Sequence, residues 1–455
     1  GSLFTAGSDN AVKRWSLDQW CICPESVSTS LPSTNVESTA YILPRPPWTS
    51  NSEDSKAVVE DSHGKLPRSQ EESKRMKEDR EWVRCMKWVN HKMMYVATNQ
   101  GLVYLLSVAK RSGAKKWHVV YAGQRRNVMV SLEVIFTGSK NAHNNHLVCV
   151  GDIYGYVSMI SVLASDEDFE SFKIGSCLEW QAHPGRRVLG IFKVRESSNP
   201  NKDLGKEQLS VFSTDSSGEV KWWKVLSGDL LVGEVQAAPL LLARLQSPLK
   251  RRIVCLDVSF ASKLIICGDQ NGSIMAFRYS QDQDPTKELE LVVMLKNQHG
   301  VNAVTLLKLN DMNELISGGR DGKLFNYEIR SSGKTPPNTS LCPIGVHSVN
   351  NVAAIEDYID LGDQVKLVAG FQATDFVVWN IVDDCQLIHS HCGGWRRPHS
   401  FLMDKVGKLN FAYLKDGTVF VQRLAQRDEA ESKQRSLVDK DSNYSVFSNA
   451  WHRPS

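Results

Sequence analysis

The apolar and polar positions of this chain recur in one design. Eight short segments each carry an apolar run, a tight turn, then an alternating strand that often ends in an aromatic residue. They run Leu3 to Trp15, Met94 to Leu106, His146 to Ile160, Leu209 to Trp223, Lys263 to Phe277, Glu314 to Tyr327, Lys366 to Trp379 and Leu409 to Gln422. Runs such as Leu264-Ile265-Ile266-Cys267 predict inner strands buried on both faces. The alternation of Ile274 and Ala276 against Met275 and Phe277 predicts the strand that follows. Asn271-Gly272, Asp321-Gly322 and Asp416-Gly417 predict primed hairpin turns with positive φ at both central residues. Asn10 can replace glycine at the first turn. Thr374 adopts that conformation poorly, so its hairpin is expected to use a longer or different turn.

The glycine-equivalent turn positions are Asn10, Gly101, Gly155, Gly218, Gly272, Gly322, Thr374 and Gly417, so the steps are 91, 54, 63, 54, 50, 52 and 43 residues. Repeats of about 40–45 residues lengthened by loop insertions give such steps. Two further strands fit between hairpins, for example Trp117 to Tyr121 and Val128 to Phe136. Four strands per unit make a propeller blade. His299-Gly300, Val301, Val304, Leu315, Ser317, Asp321-Gly322 and Tyr327 keep the order of a WD repeat, with 22 positions from His299 to Asp321. That resemblance implies that His299 and Asp321 hydrogen-bond within their blade as structural contacts rather than as catalytic groups. Asp9 and Asp416 also hold a turn aspartate. The final Trp-Asp pair is missing: Trp15 precedes Ser16, Trp223 precedes Lys224 and Trp379 precedes Asn380. The expected fold is all-β, a WD40-type β-propeller of about seven blades of four antiparallel strands.

Residues 1–22 read as a partial blade and 82–426 as the propeller. Between them, 23–81 is rich in Ser, Thr and Pro and then in mixed charge, which predicts a disordered insertion or a linker between two propellers. Residues 427–455 are a polar tail. The opening Gly1-Ser2-Leu3-Phe4 is not a signal peptide, and it starts inside a strand pattern without Met. The chain therefore reads as a fragment of a larger, multi-propeller protein.

Apolar residues make up 41% and charged residues 23%, ordinary for a globular protein. No apolar stretch approaches the roughly 18 residues of a membrane helix. The ten cysteines form no disulfide framework, and Cys149, Cys255 and Cys267 lie inside strand patterns, which suits a reducing compartment and a cytoplasmic location. Phosphate-loop, dinucleotide, zinc-protease and serine-hydrolase motifs are absent, so neither catalytic residues nor a cofactor are expected. The glycine-rich Ser317 to Lys323 is a hairpin, whereas a phosphate loop opens a helix. Cys385, His389, His391 and Cys392 offer zinc ligand types. Their spacing is poor, because His391 and Cys392 are adjacent on a strand and point to opposite faces. Cys21 and Cys23 are equally weak, and no metal site is expected.

The net charge of +3 is small, but its placement is informative. In a propeller, the loops between blades emerge beside the central hairpin turns, on one face. Basic residues recur in those loops: Arg125 and Arg126, Arg186 and Arg187, Lys250, Arg251 and Arg252, and Arg396 and Arg397. Arg320 lies in a turn on the same side. Together with His399 they predict a positive rim able to hold RNA phosphates or a protein partner. His183, Trp395 and His399 are candidates for stacking. The competing reading is that these are solvated surface charges and inter-blade salt bridges.

Leu264 to Phe277, Val368 to Asn380 and Cys392 to Phe401 go beyond a generic repeat. A Gly-Phe followed by Phe-Val-Val-Trp, then Cys-Gly-Gly and a basic segment containing histidine, resembles the WD repeat-containing protein 6 family. The resemblance covers about a third of the chain, Arg252 to Phe401. That family is the non-catalytic partner of an FtsJ-like tRNA 2′-O-methyltransferase, and its members are longer and hold more than one propeller. The resemblance implies an adaptor that binds the methyltransferase and tRNA, and supports methylation of the wobble ribose in the partner's active site. Arg396, Arg397 and His399 fall inside the matched motif. The alternative is a general protein–protein scaffold, in trafficking or signalling, without an RNA role.

Overall fold

The computed structural model describes residues 39–44, 81–108, 117–123, 127–136, 146–163, 172–194, 208–226, 239–280, 284–310, 313–331, 339–349, 352–361, 365–403 and 409–424, plus strand backbone at 2–6, 12–16, 25–27 and 37–38. Seven four-stranded antiparallel sheets form the blades of a β-propeller. Blade 1 runs from Val83 to Ala122, blade 2 from Met129 to Gln181, blade 3 from Gly190 to Gln246 and blade 4 from Ile253 to Leu295. Blade 5 runs from Val304 to Ser348 and blade 6 from Ala354 to His391. The expected strands at Trp117 and Val128 are present as Trp117–Ala122 and Met129–Phe136. A separate three-stranded sheet, Ser2–Ala6, Val12–Ser16 and Glu25–Val27, pairs the first of the eight segments as an antiparallel hairpin.

Blade 7 takes its strands from both ends of the chain. His399–Met403, Leu409–Lys415 and Thr418–Leu424 supply three, and Glu37–Ile42 supplies the fourth. That strand lies within the stretch whose composition predicts an insertion. The Ser-Thr-Ala-Tyr-Ile sequence has the β-branched and aromatic residues that favour a strand, and Tyr41 is buried. The serine and proline content around it hid this short signal. Blade 7 meets blade 1 where Trp88 Nε1 donates to the Ser400 carbonyl at 3.1 Å, and meets blade 6 where Phe376 and Phe411 stack at 4.1 Å. The polar tail 427–455 and Cys21 and Cys23 lie outside the described residues.

The core sits between blades. Each of the six apolar clusters among the described residues draws on two neighbouring sheets. Cys149 and Leu147 of blade 2, for example, pack with Val211 and Trp223 of blade 3. This explains why second strands such as Leu264–Asp269 are apolar without alternation: both faces are covered, and Leu264, Ile265, Ile266 and Cys267 are all fully buried. Burying each such side chain contributes about 1.5–3 kcal/mol. Ion pairs add registration on the inner strands, with Lys87 to Glu133 at 2.9 Å between blades 1 and 2 and Lys308 to Asp357 at 2.6 Å between blades 5 and 6.

The hairpin turns differ from expectation in one respect. Gly101, Gly155, Gly218, Gly272, Gly322 and Gly417 all have positive φ, but at Asn271-Gly272 and Asp321-Gly322 only the glycine does. Among the described hairpins, both central residues are positive at Asp416-Gly417 alone. In blades 2, 3 and 4 an aspartate three residues before the glycine shapes the turn. Asp152, Asp215 and Asp269 each accept two backbone N–H groups: those of Tyr154 and Tyr156, of Ser217 and Glu219, and of Asn271 and Ser273. The Thr374 turn is different rather than longer, since Gln372 pairs with Asp375 and the positive φ falls on Ala373.

Candidate functional site

The inter-blade loops and the hairpin turns share one face because hydrogen bonds tie them together. The backbone N–H of His183 donates to Gly155, that of Ser247 to Gly218, that of His299 to Gly272 and that of Val349 to Gly322. The loop lies so close over the turn that a Cβ on Gly218 would stand 2.3 Å from the Arg251 carbonyl oxygen.

Two blades carry a buried histidine network beneath this face. In blade 5, His299 Nδ1 lies 2.8 Å from Asp321 Oδ1 and Nε2 lies 2.9 Å from Ser317 Oγ, as the WD resemblance implies. Burial pushes Asp321 up, but the bond from His299, the attraction of its ring and backbone N–H groups together outweigh it and hold the carboxyl below its ordinary value. Blade 3 repeats the device: His183 Nε2 and Trp223 Nε1 both reach Ser213 Oγ at 2.9 Å, and His183 Nδ1 lies 3.3 Å from Glu219. His183 is 1% exposed, so it offers no stacking surface. Sequence reasoning missed it as a network residue because Pro184 replaces the glycine that follows His299.

His183, Asp215 and Glu219 bring three ligand-type atoms within 4.8 Å of one another. The arrangement suits a hydrogen-bond network better than a cation. Arg186 Nη1 already sits 3.0 Å from Asp215 Oδ2, and two amides and Ser217 occupy the other carboxylate positions. The cysteine–histidine set of blade 6 is not brought together. His389 Nε2 and His391 Nδ1 both turn to Asp375, at 2.8 and 2.7 Å, while the buried Cys392 faces the Thr374 carbonyl. Burial pushes the thiols of Cys385 and Cys392 up, which opposes the thiolate a metal needs.

The predicted basic residues sort into three groups. Arg125 and Arg126 lie outside the described residues. Arg186 pairs with Asp215, and Arg251 Nη1 lies 3.8 Å from Asp269 Oδ2, so both are matched by the turn aspartate of the blade they introduce. Arg187 and Lys250 are exposed beside them. Arg397 packs back on its own loop: its backbone N–H donates to the Gly394 carbonyl, its carbonyl meets His399 Nδ1 at 2.9 Å, and its guanidinium would touch a Cβ on Gly393.

The third group converges. Arg252, Arg320 and Trp395 line a cavity of about 570 Å³ at the mouths of blades 4 to 6, with Gln270 and Asn302 beside them. The Arg320 guanidinium lies 3.7 Å from the Trp395 ring centroid, and that of Arg396 lies 5.3 Å from it. Burial lowers the pKa of Arg252, and the neighbouring Arg320 lowers it further. Burial also lowers Arg320; Glu356 opposes that shift and Arg396 adds to it. Arg252 donates through Nη2 to the Leu189 carbonyl at 3.2 Å, yet the buried Nε of both Arg252 and Arg320 has no acceptor. Glu356 has a buried, unpartnered Oε1, lies 4.0 Å from His399 Nε2, and is pushed up by burial. His399 packs edge-on to Phe371 at 4.7 Å, inside the structure rather than on its surface. Sequence reasoning found the arginines but neither the cavity nor Glu356.

No protein-family model matches the chain. The tRNA (34-2′-O)-methyltransferase regulator WDR6 of Bos taurus is 27% identical over 186 residues, covering 35% of this chain and 16% of that protein. Its namesake in Pongo abelii is 32% identical over 132 residues, covering 29% and 11%. That of Drosophila melanogaster is 23% identical over 179 residues, covering 39% and 17%. The chain resembles the WDR6 family. The matches span less than a fifth of the WDR6 relatives' own length. Among solved structures, the WD40 β-propeller domain of Doa1 matches with a TM-score of 0.47 at 14% identity, covering 77% of this chain and 94% of that one. The Myceliophteria thermophila Cps50 (Swd1) β-propeller domain matches with a TM-score of 0.47 at 10% identity, covering 76% and 96%. The WDR6 relatives are named as regulators, and this chain folds as a seven-bladed β-propeller.

Proposed function

We propose that this chain is an adaptor that binds an FtsJ-like methyltransferase and tRNA in the cytoplasm and supports 2′-O-methylation of the wobble ribose. The observation that carries this reading is the sequence likeness to proteins named as regulators of tRNA 2′-O-methylation. Exposed Arg187, Lys250 and Arg396 on the loop face, together with a cavity lined by Arg252 and Arg320, support the RNA half of the reading. The methyl donor and the catalytic groups belong to the partner enzyme.

The test is affinity purification of the tagged protein from its native cells, with a parallel measurement of wobble ribose methylation after gene disruption. Co-enrichment of the methyltransferase and tRNA, with loss of the modification, supports the adaptor. Exposed apolar side chains on outer strands, Leu240, Ile344 and Val346, favour the second reading, a protein scaffold. Protein partners without tRNA, and intact wobble methylation after disruption, select the scaffold instead.

A further inference from the structure

The cavity at the mouths of blades 4 to 6 has a mixed lining. Arg252, Arg320 and Trp395 supply charge and an aromatic face, and Val254, Ala354 and Phe371 supply apolar surface. Its volume of about 570 Å³ falls within the roughly 300–1,000 Å³ of sites that hold a small ligand or one segment of a larger one. Arg252 and Arg320 bring two like charges to one cavity and repel each other, and an anion placed between their guanidinium groups relieves that repulsion. Trp395 holds the Arg320 plane at 3.7 Å, fixing the direction in which its donors point. Gln270 and Asn302 each donate and accept, as the edge of a heterocycle requires. Val301, 82% exposed, offers an apolar rest at the lip.

We propose that this cavity receives one unpaired nucleotide of an RNA, with its phosphate among Arg252, Arg320 and Arg396 and its base against the apolar lining and the amides of Gln270 and Asn302. The proposal deepens the RNA-adaptor reading and rests on it. A base stacked in a duplex cannot enter. A phosphoserine peptide satisfies the arginines but leaves the apolar lining and the amides without a partner.

Equilibrium binding of the 455-residue chain to a short labelled single-stranded RNA tests it, with a duplex of the same sequence, a phosphoserine peptide and whole tRNA as further probes. Arg396→Gln is expected to weaken single-strand binding roughly tenfold, the worth of one charge-assisted contact. Ala353→Glu places a carboxylate at the exposed lip and weakens it at least as much. Glu356→Gln removes the negative charge that faces Arg320 and tightens binding severalfold, a gain that misfolding cannot imitate. The duplex binds more weakly and ignores Ala353→Glu. Single-strand affinity unchanged by all three substitutions overturns the nucleotide site. If tRNA still binds the unsubstituted chain in that case, the contact lies elsewhere on the basic face and the adaptor reading survives. If neither RNA binds the unsubstituted chain, both readings fall. A phosphopeptide that competes as well as the RNA overturns the nucleotide in favour of a protein ligand.

Discussion

The mouth of blade 3 and the mouths of blades 4 to 6 use the same residue types to opposite ends. At blade 3, Arg186 leaves its loop and meets Asp215, which also organises the turn. At blade 5 the position three residues before the turn glycine is Gly319, and at blade 6 it is Phe371, so the carboxylate that absorbs Arg186 has no counterpart. Asp321, one residue before Gly322, is taken by His299 instead. Arg320 is thus left against Trp395 without a neutralising partner in contact. An arginine matched by its own turn maintains the blade. An arginine whose turn lacks the aspartate is available to something outside the chain.

The contrast can be broken most forcefully at Asp215. Asp215→Ala should lower unfolding stability by about 3 kcal/mol, because buried amides and Arg186 lose their acceptor together; chemical denaturation measures it. Next come Gly218→Ala and Gly322→Ala, each expected to cost about 2–3 kcal/mol. Both glycines have positive φ, and an added Cβ would stand 2.3 Å from the Arg251 carbonyl oxygen or 2.2 Å from that of Val352. Similar losses in both blades would show that turn geometry is common to the two regions and that only charge distinguishes them.

Acid sharpens the comparison further. At Asp215, burial pushes the pKa up, but bonds from Ser217 and Arg186 outweigh it and leave the carboxyl below its ordinary value. At Glu219 the bond from His183 lowers the value against burial. Depressed folded values mean that this stability is fully present above the ordinary carboxylate range and is lost as pH falls through the folded values. Glu356 is shifted the other way, so its ionisation favours the unfolded chain. The thermal midpoint should therefore fall in acid, and Asp215→Asn should flatten that fall while Glu356→Gln leaves it in place. Arg320→Met, which keeps contact with Trp395, should change stability by less than about 1 kcal/mol, since the cost of burying the guanidinium and its attraction to Glu356 are removed together. The smallest effect belongs to Arg186→Ala. Its half-exposed ion pair is expected to contribute less than about 1 kcal/mol, and RNA affinity should not respond.

The blades were legible because burial between neighbouring sheets writes itself into sequence as apolar runs such as Leu264 to Cys267, each followed by a turn that in most blades holds a glycine. The turn chemistry was only partly legible. Asn-Gly and Asp-Gly pairs drew attention, whereas the acceptors that shape three of the seven turns are Asp152, Asp215 and Asp269, three residues upstream. Glu37–Ile42 was hidden by its serine- and proline-rich surroundings, and its partner strand lies at the far end of the chain. The cavity left no local signal at all. Arg252, Arg320 and Trp395 are brought together by the ring, and Glu356 sits in an inner strand with nothing to mark it from other acidic residues.

The joint in blade 7 also dictates an order of events during synthesis. Glu37–Ile42 leaves the ribosome early, yet the strand it hydrogen-bonds, Thr418–Leu424, emerges after six other sheets. Until translation passes that point, the early segment has no partner and the growing array keeps an open edge. Closing so long a loop is entropically costly and slow. Until Thr418–Leu424 has been made, that border stays bare and prone to pair with other strands.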